Sequence, residues 1–285
     1  LKKIAKELRT YCENYLNNLK KDNPELCSEI KSKLFIAGGA ITSLILGETP
    51  NDIDFYINNE DNKFDRIEKL KQYYYDKYIS KNLVEKNENS KAKLVSLDDS
   101  YPPHFYKNLN PVNDFDLEFW SPSAITLKNK YQIITRSCDN PSETIDSFDF
   151  SHCVGYYSFS DDVLFISNEM YKSISTKTLF YRTSLYPFSA ILRMKKFLTR
   201  GWKINTGNIL KIAIDLSKFN ITDVNSMARI SNQIYDARGD FDEFEELSKN
   251  ISEREINEKD LFKLIDEIFE ETTEFDYYRL MKKER

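Results

Sequence analysis

GGAITSLILGETPNDID, residues 38–54, is the stretch on which the fold turns. An apolar run (Leu34, Phe35, Ile36, Ala37) leads into Gly38 and Gly39. A short apolar segment follows, closed by Gly47, and Asn51 then opens Asp52-Ile53-Asp54 ahead of Phe55, Tyr56 and Ile57. This order predicts a strand over 34–37, a glycine turn into a helix over about 40–46, and a second strand over 52–58. Alternate side chains of a strand share a face, so Asp52 and Asp54 project together while Ile53 and Phe55 take the other side. Two carboxylates side by side repel unless a cation sits between them. Hard oxygen ligands at that spacing suit Mg²⁺, or Mn²⁺, carrying substrate phosphates. The glycine turn supplies the complementary element, free backbone N–H groups at a helix N-terminus aimed at an anion.

These residues resemble the signature of the polymerase-beta superfamily of nucleotidyltransferases, in the form GGxVRDxLLGxxxxDxD found in tRNA CCA-adding enzymes and bacterial poly(A) polymerases. Gly38 and Gly39 fall on the glycine pair, Leu44, Ile45 and Leu46 on the apolar triplet, Gly47 on the next glycine, and Asp52 and Asp54 on the carboxylates. Thr42 and Ser43 stand where that form has Arg-Asp. A narrower resemblance, over about residues 33–215, is to nucleotidyltransferase-like proteins of phages and prophages. It rests on NDIDFYI at 51–57, SAITLKNKYQIITR at 123–136 and SLYPFSAILRMKKFLTRGWKIN at 184–205. The resemblance implies an α+β fold, a nucleotidyltransferase-type mixed β-sheet flanked by helices, followed by an all-helical C-terminal region. It also implies a nucleoside triphosphate substrate, nucleotide contacts through Gly38, Gly39, Thr42 and Ser43, a metal on Asp52 and Asp54, and an acceptor such as an RNA 3′ end, tRNA among the candidates. The expected organisation is a palm-like catalytic domain over 1–170, opened by an N-terminal helix, and a helical domain over 171–285.

Such chemistry uses a third carboxylate to help deprotonate the attacking hydroxyl. Asp149, within Ser147-Phe148-Asp149-Phe150-Ser151-His152, is the candidate, expected to join Asp52 and Asp54 as a metal ligand: a charge amid aromatics in an apolar strand expected over 148–158 is costly without a partner, and a bound metal would supply one. The phage group has a similar Phe-Asp-Phe before a strand. Asp146 is an alternative, and Asp114, Asp116 and Glu118 form another, read first as a solvated edge-strand face. His152 shares the Asp149 strand and reads as a buried structural histidine.

Charge is unevenly spread. The net charge is −5, yet Met170–Ile214 holds no Asp or Glu while carrying Lys172, Lys177, Arg182, Arg193, Lys195, Lys196, Arg200, Lys203 and Lys211. A basic segment in an acidic chain implies a local anionic partner. On a helix over 187–201, Arg193, Lys196 and Arg200 fall within about 60°, with Ile191, Met194 and Leu198 roughly opposite. Tyr186-Pro187, Arg193, Lys196-Phe197 and Gly201-Trp202 are similar to DPxRxLRxxRFxxxxGF of the CCA-adding relatives, with Tyr186 in place of the leading Asp. Lys177, Arg182, Arg193, Lys196 and Arg200 are therefore the candidate triphosphate or RNA contacts, with Trp202 or Tyr181 as base-stacking rings.

Other classes recede. With 285 residues, 40% of them hydrophobic and 31% charged, a folded chain is the default. Cys12, Cys27, Cys138 and Cys153 form no CxxC pair and only two histidines occur, which argues against structural zinc and for free thiols in a reducing compartment. No apolar run reaches a membrane span and no signal-peptide pattern opens the chain, so the expected setting is cytoplasmic, that of a bacterial host for a phage-encoded chain. The sequence carries no signal of oligomeric state. Helices are expected over 1–22, 24–32 and 63–80, mostly loop over 81–114 with a short strand near 94–97, strands over 116–120, 124–128, 131–135 and 163–166, a helix capped by Asn168, and helix from Pro187 onward. Two other functions stay open beside the transferase: an inactive RNA- or protein-binding module on the same fold, and a toxin-like enzyme nucleotidylating a host protein.

Overall fold

The computed structural model describes residues 1–60, 65–79, 92–95, 105–108, 111–121, 123–136, 140–184 and 187–218. Expectations for 81–91 and for the helical region beyond 218 lie outside these residues, as does Cys138. Leu1–Asp215 form one compact unit.

Helices α1 (Lys2–Asp22) and α2 (Pro24–Lys31) open the chain. Asn23 separates them: its side chain accepts a hydrogen bond from the Leu26 N–H, and Pro24 takes the first helical position, where no N–H is needed. Strand β1 (Leu34–Ala37), helix α3 (Gly39–Ile45) and strand β2 (Ile53–Ile57) follow, then helix α4 (Asp65–Tyr74), which runs into a π-helical turn over Tyr75–Ile79. The strands β3 (Ala92–Val95), β4 (Phe105–Asn108), β5 (Leu117–Trp120), β6 (Ala124–Leu127) and β7 (Tyr131–Ile134) form a meander. Helix α5 (Pro141–Asp146), strands β8 (Gly155–Ser158) and β9 (Val163–Ile166), and helix α6 (Asn168–Thr176) come next. The short strands β10 (Thr178–Leu179) and β11 (Lys203–Ile204) bracket helix α7 (Pro187–Thr199), and α8 (Thr206–Leu216) ends the described chain.

Among the described residues, the main sheet has nine strands in the order β3-β4-β5-β6-β7-β2-β1-β8-β9. Within it β2 and β7 pair in parallel, with Asp54 opposite Gln132; the other neighbours are antiparallel. The sheet is thus mixed and flanked by helices, an α+β fold. Strand β1, flanked by β2 and β8, is buried along its whole length. Leu8, Cys12, Tyr15, Leu16 and Leu19 of α1 are buried. Tyr15 stacks on Phe55 of β2 at 5.0 Å, which fixes the odd-numbered face of β2 as the helix-covered one. Across the sheet, Phe35 and Ala37 join Tyr56, Ile134, Ile145 and Val154 in a second cluster. At about 25 cal/mol per Å² of apolar area buried, these aromatic and branched side chains supply the main driving force for folding.

Some expectations need correction. Residues 148–158 do not form one strand: the chain passes through a single bridge at Phe150, opposite Tyr181, and a 3₁₀ turn over Ser151–Cys153 before β8 begins. Helix α5, unanticipated, precedes that bend, capped by the Asn140 side chain, which accepts from the Glu143 N–H, with Pro141 at its first position. The cap of α6 is Ser167, one residue before Asn168; its hydroxyl accepts from the Met170 N–H at 3.0 Å. The segment after Pro187 is also not purely helical, since β11 pairs in parallel with β10.

Candidate active site

The β1–α3 turn is built on Gly38, which adopts φ +90°, ψ −141°. That region is essentially closed to residues with a Cβ. Gly38 N–H donates to the Gly155 carbonyl at 3.3 Å, so the turn is fastened to β8 before α3 starts. Gly155 is required in its own right: a Cβ there would lie 2.6 Å from Met170 Sδ and 2.9 Å from the Phe165 carbonyl oxygen. Gly38 stands next to Asp54, since a Cβ placed on it would sit 3.9 Å from Asp54 Oδ2.

Turn, β2 and α7 enclose a cavity of about 540 Å³. Gly38, Gly39, Ser43, Asp52, Asp54, Asp149, Arg193, Lys196 and Arg200 line it, together with residues the sequence reading did not select, among them Asn51, Arg136, Glu143 and Ser184. Burial, and then the charge of Asp52, pushes the Asp54 carboxyl up to about 7, against the opposing pull of Arg136 and Lys196. A carboxylate pair whose mutual repulsion the nearby cations do not offset matches the donor chemistry of a divalent cation.

Asp149 is 8% exposed and is held by α7. Arg193 Nε and Nη2 both donate to Asp149 Oδ2, at 2.7 and 2.6 Å. Among the described residues, no three His, Cys, Asp or Glu side chains are grouped to hold a metal. Arg200 pairs with Glu48 and lies over the Phe197 ring at 5.0 Å. Helix α7 turns its cationic stripe toward the cavity, and Leu198, on the apolar stripe, is 39% exposed.

Other candidates lie elsewhere. Thr42 is buried, and its hydroxyl donates to the His152 carbonyl at 2.6 Å, tying α3 to the 3₁₀ turn. Lys177 caps α6 in the left-handed conformation. Arg182 donates to the carbonyls of Ile145 and Asp146 and forms ion pairs with Asp146 and Glu169, bracing α5 against α6. Trp202 and Tyr181 are both buried and neither lines the cavity: Trp202 packs on His152 and Phe197, and Tyr181 packs on Phe150 while its hydroxyl donates to Asp215; Tyr56, Phe148 and Phe197 are the rings that do line it. His152 packs its ring on Phe197 at 4.1 Å and on Trp202 at 5.1 Å. Burial, then the charges of Arg200 and Arg193, pushes it down to about 3, so it is neutral at physiological pH. Asp116 accepts from the Val112 and Asn113 N–H groups and from Tyr78 Oη, closing a turn away from the cavity. Cys12, Cys27 and Cys153 carry free thiols. Among the described residues, no helix is long and apolar enough to cross a membrane.

Arg136 and Ser184 left a faint signal in the sequence. Arg136 lies two residues past the end of β7, the strand that pairs in parallel with β2, and it shares the cavity with Asp54. That neighbour relation requires the strand order and is not local.

A glycine turn, two nearby carboxylates and a facing cationic helix, set on a mixed sheet, are the elements expected from the sequence of a nucleotidyltransferase-type α+β fold. Residues 6–177 match the profile described as "Gad2: Gabija anti-defense 2 family protein", and the chain belongs to that family. It is 21% identical over 258 residues to "Gabija anti-defense 2" of Bacillus phage SPbetaL7, a match covering 90% of this chain and 53% of the other, so the chain spans about half the length of that relative. Among solved structures it is similar to a tRNA-processing enzyme with CTP (TM-score 0.41, 16% identity, 82% of this chain and 57% of that one). It is also similar to the Thermotoga maritima CCA-adding enzyme complexed with tRNA (0.39, 14%, 82% and 50%). A third likeness is to a tRNA nucleotidyltransferase complexed with a primer tRNA and an incoming ATP analog (0.38, 16%, 89% and 68%).

Proposed function

We propose that this protein is a metal-dependent nucleotidyltransferase that moves a nucleoside monophosphate from a nucleoside triphosphate to an acceptor hydroxyl. The observation that carries this reading is the joint presence, in one cavity, of Gly38 and Gly39, the Asp52–Asp54 pair and the Arg193–Lys196–Arg200 face. Asp52, Asp54, Glu143 and Asp149 stand there against Arg136, Arg193, Lys196 and Arg200, four acids and four bases. A bare triphosphate meets the carboxylates and a bare divalent cation meets the cations; the two together find opposite charge on both sides.

Mg²⁺ or Mn²⁺ on Asp52 and Asp54 would supply charge neutralisation at the α-phosphate. With the Gly38 N–H taken by the Gly155 carbonyl, the turn would orient phosphate oxygens through the backbone N–H groups at the start of α3. Lys196, Arg193 and Arg200 hold the remaining phosphates, arginine through paired N–H donors. The acceptor oxygen attacks phosphorus, the bond to pyrophosphate breaks, and the hydroxyl proton passes to a carboxylate, with Asp149 the candidate. An RNA 3′ end, tRNA included, suits the basic α7 face. The anti-defence name of the phage relative favours a second acceptor, an RNA or protein of the Gabija defence itself.

A non-catalytic module on the same fold is the competing reading, and the engagement of Asp149 by Arg193 favours it. The test offers each α-labelled nucleoside triphosphate with Mg²⁺ or Mn²⁺, first with total bacterial RNA and then with lysates of cells carrying or lacking Gabija. Label transfer that disappears in Asp52→Asn/Asp54→Asn supports the enzyme. No transfer to any pool, with nucleotide binding intact, supports the module.

A further inference from the structure

The Arg193–Asp149 contact places two roles of the site in conflict. Arg193 faces the cavity where phosphates would lie, yet both donors used in the pair, Nε and Nη2, converge on a single oxygen of Asp149. The Asp149 side chain is 9% exposed and that of Arg193 is 43% exposed, so the carboxylate is the fixed partner and the guanidinium the one with room to move. Withdrawing the arginine alone would leave a buried carboxylate uncompensated, which is strongly unfavourable. A cation must replace it, and the carboxylates able to bring one, Asp52 and Asp54, line the same cavity.

Resting on the nucleotidyltransferase reading, we infer that Arg193 is a latch: it holds Asp149 out of the metal site until a triphosphate takes the guanidinium and a divalent cation takes the carboxylate. The exchange is two ion pairs for one, with no covalent change. Neither ligand completes it alone, so metal and nucleotide bind cooperatively, and the coupling is the same measured from either side. Arg193 therefore has two parts, binding the triphosphate directly and, through Asp149, setting when that carboxylate is free.

The experiment measures Mn²⁺ binding by electron paramagnetic resonance on the full chain. It is run alone and with the non-hydrolysable α,β-methylene triphosphates of adenosine, cytidine, guanosine and uridine in turn. The wild type is expected to bind Mn²⁺ about tenfold tighter with the accepted nucleotide, within the roughly 5–150-fold range of such couplings. Arg193→Gln frees Asp149 in advance, so its nucleotide-free Mn²⁺ affinity should rise about tenfold and its coupling fall toward unity. In Arg193→Gln/Asp149→Asn the gain should vanish, which ties it to that carboxylate rather than to the loss of a positive charge. Arg193→Lys, which keeps the charge with fewer donors, should fall between and serves if the glutamine variant does not fold. Wild-type metal and nucleotide binding that are independent, or an Arg193→Gln affinity that does not change, overturns the latch and leaves the transferase reading standing. Absence of all metal and nucleotide binding in the wild type overturns both.

Discussion

Asp54 carries the sharpest consequence at the scale of one residue. Its carboxyl is raised from 3.8 to about 7 by burial and by Asp52. A group that binds its proton more tightly folded than unfolded stabilises the fold fully below its unfolded pKa of about 4, and that contribution is lost as pH rises through about 7. Asp54→Asn removes the cost of the charge. The variant should therefore be more stable than the wild type at pH 8, by about 1–3 kcal/mol, with the difference closing by pH 4. Added Mn²⁺ should narrow the gap at pH 8 by stabilising the wild type alone, while label transfer is abolished. Melting curves at pH 4, 6 and 8, with and without Mn²⁺, test this; an Asp54→Asn protein less stable than wild type at pH 8 refutes it. The two glycines of the turn differ in kind. A Cβ on Gly38 meets Phe148 at an ordinary 3.6 Å, so space is not the obstacle there; φ +90° is. Gly38→Ala should cost about 1–3 kcal/mol. Gly39 lies in α3 with no atom within 4 Å of its Cβ position, so Gly39→Ala should be neutral or stabilise by up to about 1 kcal/mol. Equal losses of melting temperature in the two variants would remove the conformational argument.

At the scale of elements, the legible part was whatever lies within one local pattern. The sequence from Leu34 to Ile57 carries strand, turn, helix and strand in period and punctuation, and β1, α3 and β2 fall where that pattern puts them. Residues 148–158 misled because Phe148, Phe150, Val154, Tyr156 and Tyr157 read as strand, while the bend at Ser151–Cys153 depends on docking against α3 and α6. The Asn140-Pro141 start of α5, with Glu143 in its first turn, was a readable helix signal overshadowed by the strands around it. For α7 the helical wheel separated two stripes but could not say which one turns inward. Hydrophobicity argues for Ile191, Met194 and Leu198, whereas the cavity takes Arg193, Lys196 and Arg200, and Ala190 and Phe197 anchor the helix. The choice follows from the carboxylates across the cavity, which lie far away in sequence. Lys196→Ala should thus weaken binding of the accepted triphosphate about 5–30-fold, with a loss that shrinks at high salt, while Leu198→Ala leaves binding unchanged. Isothermal titration at 50 and 500 mM salt distinguishes them, and equal effects of the two substitutions would mean α7 does not face phosphate.

At the scale of the whole molecule, the question is whether the cavity serves the role for which the family is named. The compact unit Leu1–Asp215 holds every residue that lines the cavity, so whatever chemistry the chain performs there is assembled within that unit. An inert scaffold and an enzyme make different demands on two carboxylates. Binding to a partner through the outer surface is indifferent to Asp52 and Asp54, which are only partly exposed inside the cavity, and tolerates Asn at both. Phosphoryl transfer fails without them, because metal charge neutralisation at the α-phosphate is lost. If the proposed transferase acts against the Gabija defence, as the name of the phage relative suggests, the wild-type chain expressed in bacteria carrying Gabija restores phage growth, and Asp52→Asn/Asp54→Asn loses the restoration at equal protein level. Cells lacking Gabija should show no difference between the two. Plaque counts on the paired strains, with immunoblots for abundance, make the comparison. If the doubly substituted protein restores growth as well as wild type does, the anti-defence role belongs to the surface of the fold, and the cavity's chemistry serves something else.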